Sequence, residues 1–256
     1  MVHKATHHFD LVNWWLSARP EEVHAMGRLG FYGPGNGMPE HYGLKGHAQR
    51  CLDCRYQRRC PFSFWRKRRP DKNHFYLANE KYDGYHRDQC VFGQGIDIED
   101  TMNLVVRYNT GALMSYSLNA FTPWEGYRVA FNGTRGRLEH DCVESVYVSG
   151  DGSVPGETIP QGTKIRWYPH FKPARDLKVA VAKGGHGGGD VLLMEDVFSS
   201  RPRKDPYRRA AGVASGALSI LTGIAANKSM RTGRPVRIDS LVHGVPDPDY
   251  TSMKEG

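Results

Sequence analysis

The stretch from Met102 to Val148 does most to limit what this chain can fold into. Met102-Asn103-Leu104-Val105-Val106-Arg107-Tyr108 reads as a strand, and Asn109-Thr110-Gly111 follows with residues that tolerate the positive φ of a hairpin turn. Ala112 to Ala120 then alternates. Met114, Tyr116, Leu118 and Ala120 fall on one face, and Ser115, Ser117 and Asn119 on the other. Tyr127 to Phe131 alternates again, Gly133-Thr134-Arg135-Gly136 turns the chain into Arg137-Leu138-Glu139, and Val143 to Val148 reads as a further strand. Consecutive hairpins of this kind build a mainly antiparallel sheet with one wetter face.

Helical patterns flank the hairpins. Phe9, Val12 and Leu16 recur at helical spacing after Thr6, a capping residue, and before Pro20, a stop. Glu22 to Gly30 reads as a strand with Val23, Ala25 and Leu29 inward. Asp190 to Ser199 and Pro206 to Asn227 read as helices; the small residues of the second predict close packing on a sheet or another helix, with Gly233 at its end. Pro235-Val236-Arg237-Ile238 reads as a last strand. The expected fold is α+β, a large, mainly antiparallel β-sheet covered by helices. It spans residues 1–245, with an irregular cysteine-containing insertion at about 32–95 and a loose tail at 246–256.

The formal charge of +8 raises the question of nucleic acid, and its distribution answers it. The densest basic run is Arg66-Lys67-Arg68-Arg69, with Arg58 and Arg59 upstream; elsewhere the signs mix, as on a solvated surface. No nucleic-acid partner is expected. Ala210 to Ala226 is built of small residues with Ser215, Ser219 and Thr222 inside, too weakly apolar to serve as a bilayer span of about 20 residues. No membrane partner is expected either. No signal-peptide pattern opens the chain, and five cysteines is an odd number for a disulfide framework. The expected compartment is the reducing cytoplasm.

The chemistry-bearing stretch is His3-Lys4-Ala5-Thr6-His7-His8-Phe9-Asp10. On a helix His7 and Asp10 are separated by one turn, and His3 lies one turn behind His7. Histidine titrates near neutrality, which suits proton transfer, and a carboxylate one turn away can orient its ring. The plain alternative is an N-terminal histidine cluster without a task. Cys51-x2-Cys54-x5-Cys60 has spacing that zinc can use, with Cys90, His47 and His74 as possible fourth ligands. The favoured reading of these cysteines is reduced thiols in a covering loop, with no metal. Gly184-Gly185-His186-Gly187-Gly188-Gly189-Asp190 opens a helix; it reads equally as an anion cradle and as a flexible loop with an Asp cap. No glycine-rich phosphate fingerprint stands at a strand-to-helix turn.

Four motifs in order carry a resemblance to a known family. They are His7-His8-Phe9-Asp10 before Leu11-Val12-Asn13-Trp14; Phe131-Asn132-Gly133-Thr134-Arg135-Gly136-Arg137-Leu138-Glu139; Gly185-His186-Gly187-Gly188-Gly189-Asp190; and Ala226-Asn227-Lys228-Ser229 with Thr232-Gly233-Arg234-Pro235-Val236. Together they resemble the Gfo/Idh/MocA oxidoreductases from the first residues to about Leu241. The resemblance implies a two-domain enzyme whose Rossmann domain binds NAD or NADP and carries a catalytic lysine in a Glu-Lys-Pro segment. This chain is similar to the second, substrate-side domain, so the nucleotide domain is expected to be missing from it and the isolated chain to be inactive. The family has a histidine three positions before an aspartate, which implies His7 as proton acceptor with Asp10. Many members have an aspartate where this chain has His3. His3, Lys4 and His186 are the implied substrate contacts, and no cofactor-binding residue is assigned. The implied substrate is a sugar or polyol hydroxyl, and the implied assembly a homo-oligomer. Two other readings stand beside it: an NAD-dependent glycoside hydrolase of the same superfamily, and a non-enzymatic remnant that binds a sugar or a partner.

Overall fold

The computed structural model describes residues 1–65, 73–146, 162–180, 185–201 and 203–251. The basic run at 66–69 and the end of the strand expected at 143–148 lie outside the described residues. In chain order the main elements are α1 (Ala5–Leu16), β1 (Pro20–Arg28), α2 (Met38–His41), α3 (Glu80–Asp83), β2 (Thr101–Tyr108), β3 (Leu113–Asn119), β4 (Trp124–Gly133), β5 (Gly136–Val146), β6 (Thr163–Pro169), β7 (Arg175–Leu177), α4 (Gly189–Phe198), α5 (Val213–Thr232) and β8 (Val236–Arg237). The fold is α+β. Its strands form two four-stranded antiparallel sheets, ordered β3-β2-β1-β8 and β4-β5-β6-β7. The chain divides into two compact units: Met1–Arg28 with Glu99–Asn119 and Ala182–Gly256, and Leu29–Ile98 with Ala120–Val181.

The first unit is built as the alternation predicts. Met102, Leu104, Val106 and Tyr108 of β2 are buried, and their intervening neighbours Asn103, Val105 and Arg107 are exposed. Gly111 turns the chain at φ +82°, and β3 returns with Leu118, Tyr116 and Met114 opposite Met102, Leu104 and Val106. One face of this sheet is covered by α1 and α5. Phe9 and Val12 of α1 and Leu218, Leu221, Ala225 and Ala226 of α5 join Val23 and Ala25 of β1 in one core. Ala225 and Ala226 are wholly buried, so the small residues of α5 are the close-packing seam that the spacing implied. β8 pairs with only Glu22 and Val23 of β1, and further along Ser229 of α5 accepts a hydrogen bond from the Ala25 N–H at 2.9 Å. A side chain thus satisfies a buried strand donor that would otherwise cost free energy.

Three local expectations are corrected. Thr6 does not cap α1: the helix begins at Ala5, Lys4 holds the cap position, and Thr6 Oγ1 donates to His3 O at 2.8 Å. The helix expected from Pro206 begins only at Val213. Ahead of it Asp205 accepts from the Ala210 N–H at 2.9 Å and Arg208 takes a positive φ, a side-chain-to-backbone turn that competes with helix. Val143 to Val146 is no separate strand but the second half of β5. After Val245 the described residues carry contacts: Arg19 pairs with Asp247 at 2.8 Å, and Ser17 Oγ donates to Thr251 O at 2.6 Å.

The second unit has fewer buried apolar groups. No described residue of β4 to β7 is fully buried. The β4–β5 hairpin closes at Gly136, whose φ of +136° only glycine adopts readily; a Cβ there would strike the Tyr168 carbonyl. In the irregular region Leu44, Tyr56 and Phe92 form a small core, and Phe31 stacks on Phe121 with ring centroids 4.8 Å apart. A buried carboxylate, Asp88, ties loops together. It accepts from Arg50 Nε, the Leu52 N–H and Trp65 Nε1, each at 2.8 Å, while Arg50 also pairs with Glu80.

Candidate functional site

The N-terminal helix positions most of the residues the sequence singles out. Phe9 is wholly buried and packs its ring 5.3 Å from that of Tyr116 on β3. The next side chain back, His8, meets the same tyrosine: its Nδ1 lies 2.8 Å from the Tyr116 hydroxyl. Burial pushes Tyr116 up to about 12, so the phenol keeps its proton at neutral pH. These two contacts fix the rotation of α1 on the sheet. That rotation leaves His3, Lys4 and His7 exposed at the start of the helix.

Asp10 lies one turn beyond His7 and is half-buried. Burial raises its carboxyl above the usual range, and the charge of His7 works against that rise. Its Oδ1 is buried without a hydrogen-bond partner, as is the hydroxyl of Tyr250. Tyr250 is pushed up to about 12 by burial first and by the charge of Asp10 second. Both residues line a cleft of about 560 Å³ that Leu11, Trp14, Arg208 and Arg209 also border. That volume is within the range of small-molecule sites. Asn13, on the same helix, is wholly buried with both side-chain polar atoms unpartnered.

His186 stands elsewhere in the first unit. It lies in a short 3-10 turn, Gly185–Gly188, at φ +49°, and its Nδ1 is 2.7 Å from Asp190 Oδ1 of α4. Its side chain is 85% exposed, so the pair is worth little in stability. The structure therefore groups His3, Lys4, His7 and Asp10 on one helix end and sets His186 on a separate exposed turn. Sequence reasoning missed the His8–Tyr116 pair and the Tyr250 hydroxyl. The alternation that put Tyr116 on the inner face of β3 was the available signal for the first; nothing local signalled the second.

Two ligand questions follow. No described strands pair in parallel, and among the described residues no glycine-rich strand-to-helix turn forms a dinucleotide cradle. The zinc set weighed on Cys51, Cys54 and Cys60 is not a ready-made site either: among the described residues no group of three or more His, Cys, Asp or Glu side chains is arranged to hold a metal ion. All five cysteines are free thiols, and burial raises those of Cys51, Cys60 and Cys90. No helix among the described residues is long and apolar enough to cross a membrane.

The family model described as "Oxidoreductase family, C-terminal alpha/beta domain" matches residues 1–238. The chain belongs to the Gfo/Idh/MocA oxidoreductases. Among relatives of this family it is similar to the Bacillus subtilis (strain 168) protein named "Putative oxidoreductase YteT", with 40% identity over 253 residues, 94% of this chain and 56% of that protein. Among solved structures it is similar to that titled a "putative NADPH-dependent oxidoreductase" from Desulfitobacterium hafniense. The TM-score is 0.50 at 11% identity, covering 93% of this chain and 48% of that one, a likeness of fold. The chain thus spans about half the length of both proteins.

Proposed function

We propose that this chain forms the substrate-side part of an NAD(P)-dependent oxidoreductase acting on a hydroxyl of a sugar or polyol, with His7 as the proton acceptor. One observation carries the reading: His7 stands exposed on a helix whose rotation is fixed by Phe9 and the His8–Tyr116 contact, with Asp10 one turn away and coupled to it by charge. Such chemistry takes a hydride acceptor, which NAD or NADP supplies when bound. What this chain's own residues do is hold the hydroxylated substrate and accept its proton. An imidazole in reach of the hydroxyl takes that proton, and a carboxylate one turn away can orient the ring. Lys4 and His3, exposed beside His7, are suited to hydrogen-bonding neighbouring hydroxyls, and His186 offers a further imidazole.

The test uses the complete enzyme with a panel of polyols and free sugars and both nicotinamide cofactors. His7→Ala should lower kcat by about 10²–10⁴-fold, the usual worth of general acid–base catalysis, and flatten the pH–rate limb that depends on the base. Undiminished turnover in His7→Ala would remove His7 from this role. Product analysis on a chromogenic glycoside separates the reading from glycosidic cleavage, for which no release of the chromophore is expected. For the 256-residue chain alone, calorimetric titration with NAD⁺ should show no micromolar binding. We also propose a cytoplasmic homo-oligomer that associates through a sheet face; light scattering giving a strict monomer at micromolar concentration would count against that.

A further inference from the structure

Cys51, Cys54 and Cys60 come from one loop of the second unit and Cys90 from another, and the four line one cavity with Phe62 and Phe92. The cavity is about 20 Å³, room for a single water-sized sphere. The local backbone is the same at three of these positions. Cys54 N donates to Cys51 O at 3.2 Å, Ser63 N to Cys60 O at 3.2 Å and Gly93 N to Cys90 O at 2.9 Å, so each of these three cysteines opens a tight turn. The segments are held in place independently of the sulfurs. Cys51 N donates to Asp88 O and Cys90 N to Gln49 O, both at 2.8 Å, around the Arg50–Gln89 bridge.

Two cationic side chains stand close by: Arg55 and Arg59 lie 4.7 and 4.5 Å from the ring centroid of Tyr56, which lines the same cavity. A soft four-sulfur donor set selects a thiophilic cation of tetrahedral preference.

We propose that Cys51, Cys54, Cys60 and Cys90 bind one zinc ion that ties two loops of the second unit together. The site goes beyond the three-cysteine spacing by placing Cys90 as the fourth ligand. Among the described residues the four sulfurs share the cavity without forming a finished ligand set. Loading draws them inward to Zn–S bonds of about 2.3 Å, and the thiol protons pass to solvent. The cavity has no room for an eight-atom iron–sulfur cube. The role is structural and independent of the oxidoreductase reading.

The chain, produced with zinc in the medium and dialysed, should retain about one zinc per chain, released by a thiol-blocking mercurial and detected with a chromogenic chelator. Cys142→Ser should retain the metal, since Cys142 lies on β5 and does not line the cavity. Cys60→Ser and Cys90→Ser should lose at least about 10-fold in affinity, as loss of a ligand requires. Should those variants fail to fold, cobalt added to the unaltered chain decides: thiolate-to-cobalt charge-transfer absorption of four-sulfur intensity supports the site. A chain that retains no zinc and gives no such band overturns the proposal. So does iron with acid-labile sulfide in place of zinc, or equal reactivity of all five thiols with and without zinc.

Discussion

Asp10 in the first unit and Asp88 in the second are both withdrawn from water, and they titrate in opposite directions. Burial is the largest influence on each and pushes each upward. Asp10 meets that influence with one buried oxygen unpartnered and only the charge of His7 in opposition, and it stays raised. At Asp88 the Leu52 N–H, Trp65 Nε1, the Arg50 guanidinium and the Arg50 charge together outweigh burial and hold the carboxyl low. The contrast shows how each unit is held. The first rests on an apolar seam between sheet and helices, and it leaves an under-bonded acid at the wall of its cleft. The second has a small apolar core and is clamped by a saturated carboxylate. A residue's burial alone therefore says little about its task; the count of donors around it separates a clamp from a reactive group.

The comparison is sharpened most by removing the centre of the apolar seam. Phe9→Ala should destabilise the first unit by about 3–5 kcal/mol, read as urea unfolding with hydrogen exchange resolved to α1, β2 and α5. A loss confined to the second unit's amides would contradict the division. Next in size, Asp88→Ala strands Trp65 Nε1 and the Leu52 N–H and leaves Arg50 with Glu80 alone. About 3 kcal/mol should be lost, localised to the loops around Arg50 and Trp65. A near-neutral result would show that the clamp is dispensable.

The smallest effects, and the most discriminating, are in pH. A carboxyl whose folded value is raised costs stability once the unfolded chain ionises: the loss sets in as pH rises above the ordinary aspartate value of about 3.9 and is complete above the folded value. A depressed carboxyl contributes stability that is fully present above the ordinary value and is lost as pH falls through the folded one. Asp10→Asn should therefore stabilise the protein at neutral pH and lose that advantage in acid. Asp88→Asn should destabilise at neutral pH and converge on the unaltered protein in acid. Unfolding midpoints of the two variants across the acid range test this directly, and shifts of the same sign would break the contrast.

Much of this was legible. The alternation in β2 and β3, the inward face of α1 and the small-residue seam of α5 all follow from one side chain's preference for apolar surroundings repeated at a fixed period. Four ordered motifs were enough to place the chain in its family. The region at about 32–95 was not legible in the same way. Its order rests on Asp88 bonding to residues far along the chain and on rings such as Phe31 and Phe121 stacking across loops, and neither leaves a period in the sequence. The late start of α5 escaped because Asp205 offers the backbone a competing hydrogen bond that no propensity argument weighs.

By itself the sequence determined the α+β class, the antiparallel hairpins, the family, and the presence of His7 and Asp10 one helical turn apart. Local periodicity and turn chemistry suffice for the fold class, the hairpins and the helical spacing, because they act between near neighbours; the family rests on four motifs in order. Tertiary structure decided what α1 packs against: His8 meets a phenol on β3 that lies 108 residues away. It decided the opposite titration of two aspartates, and it gathered four thiols from two loops around one cavity. Those outcomes depend on groups brought together only when the chain closes on itself, where a carboxyl's or a thiol's chemistry is set by the donors and charges it meets rather than by its place in the sequence.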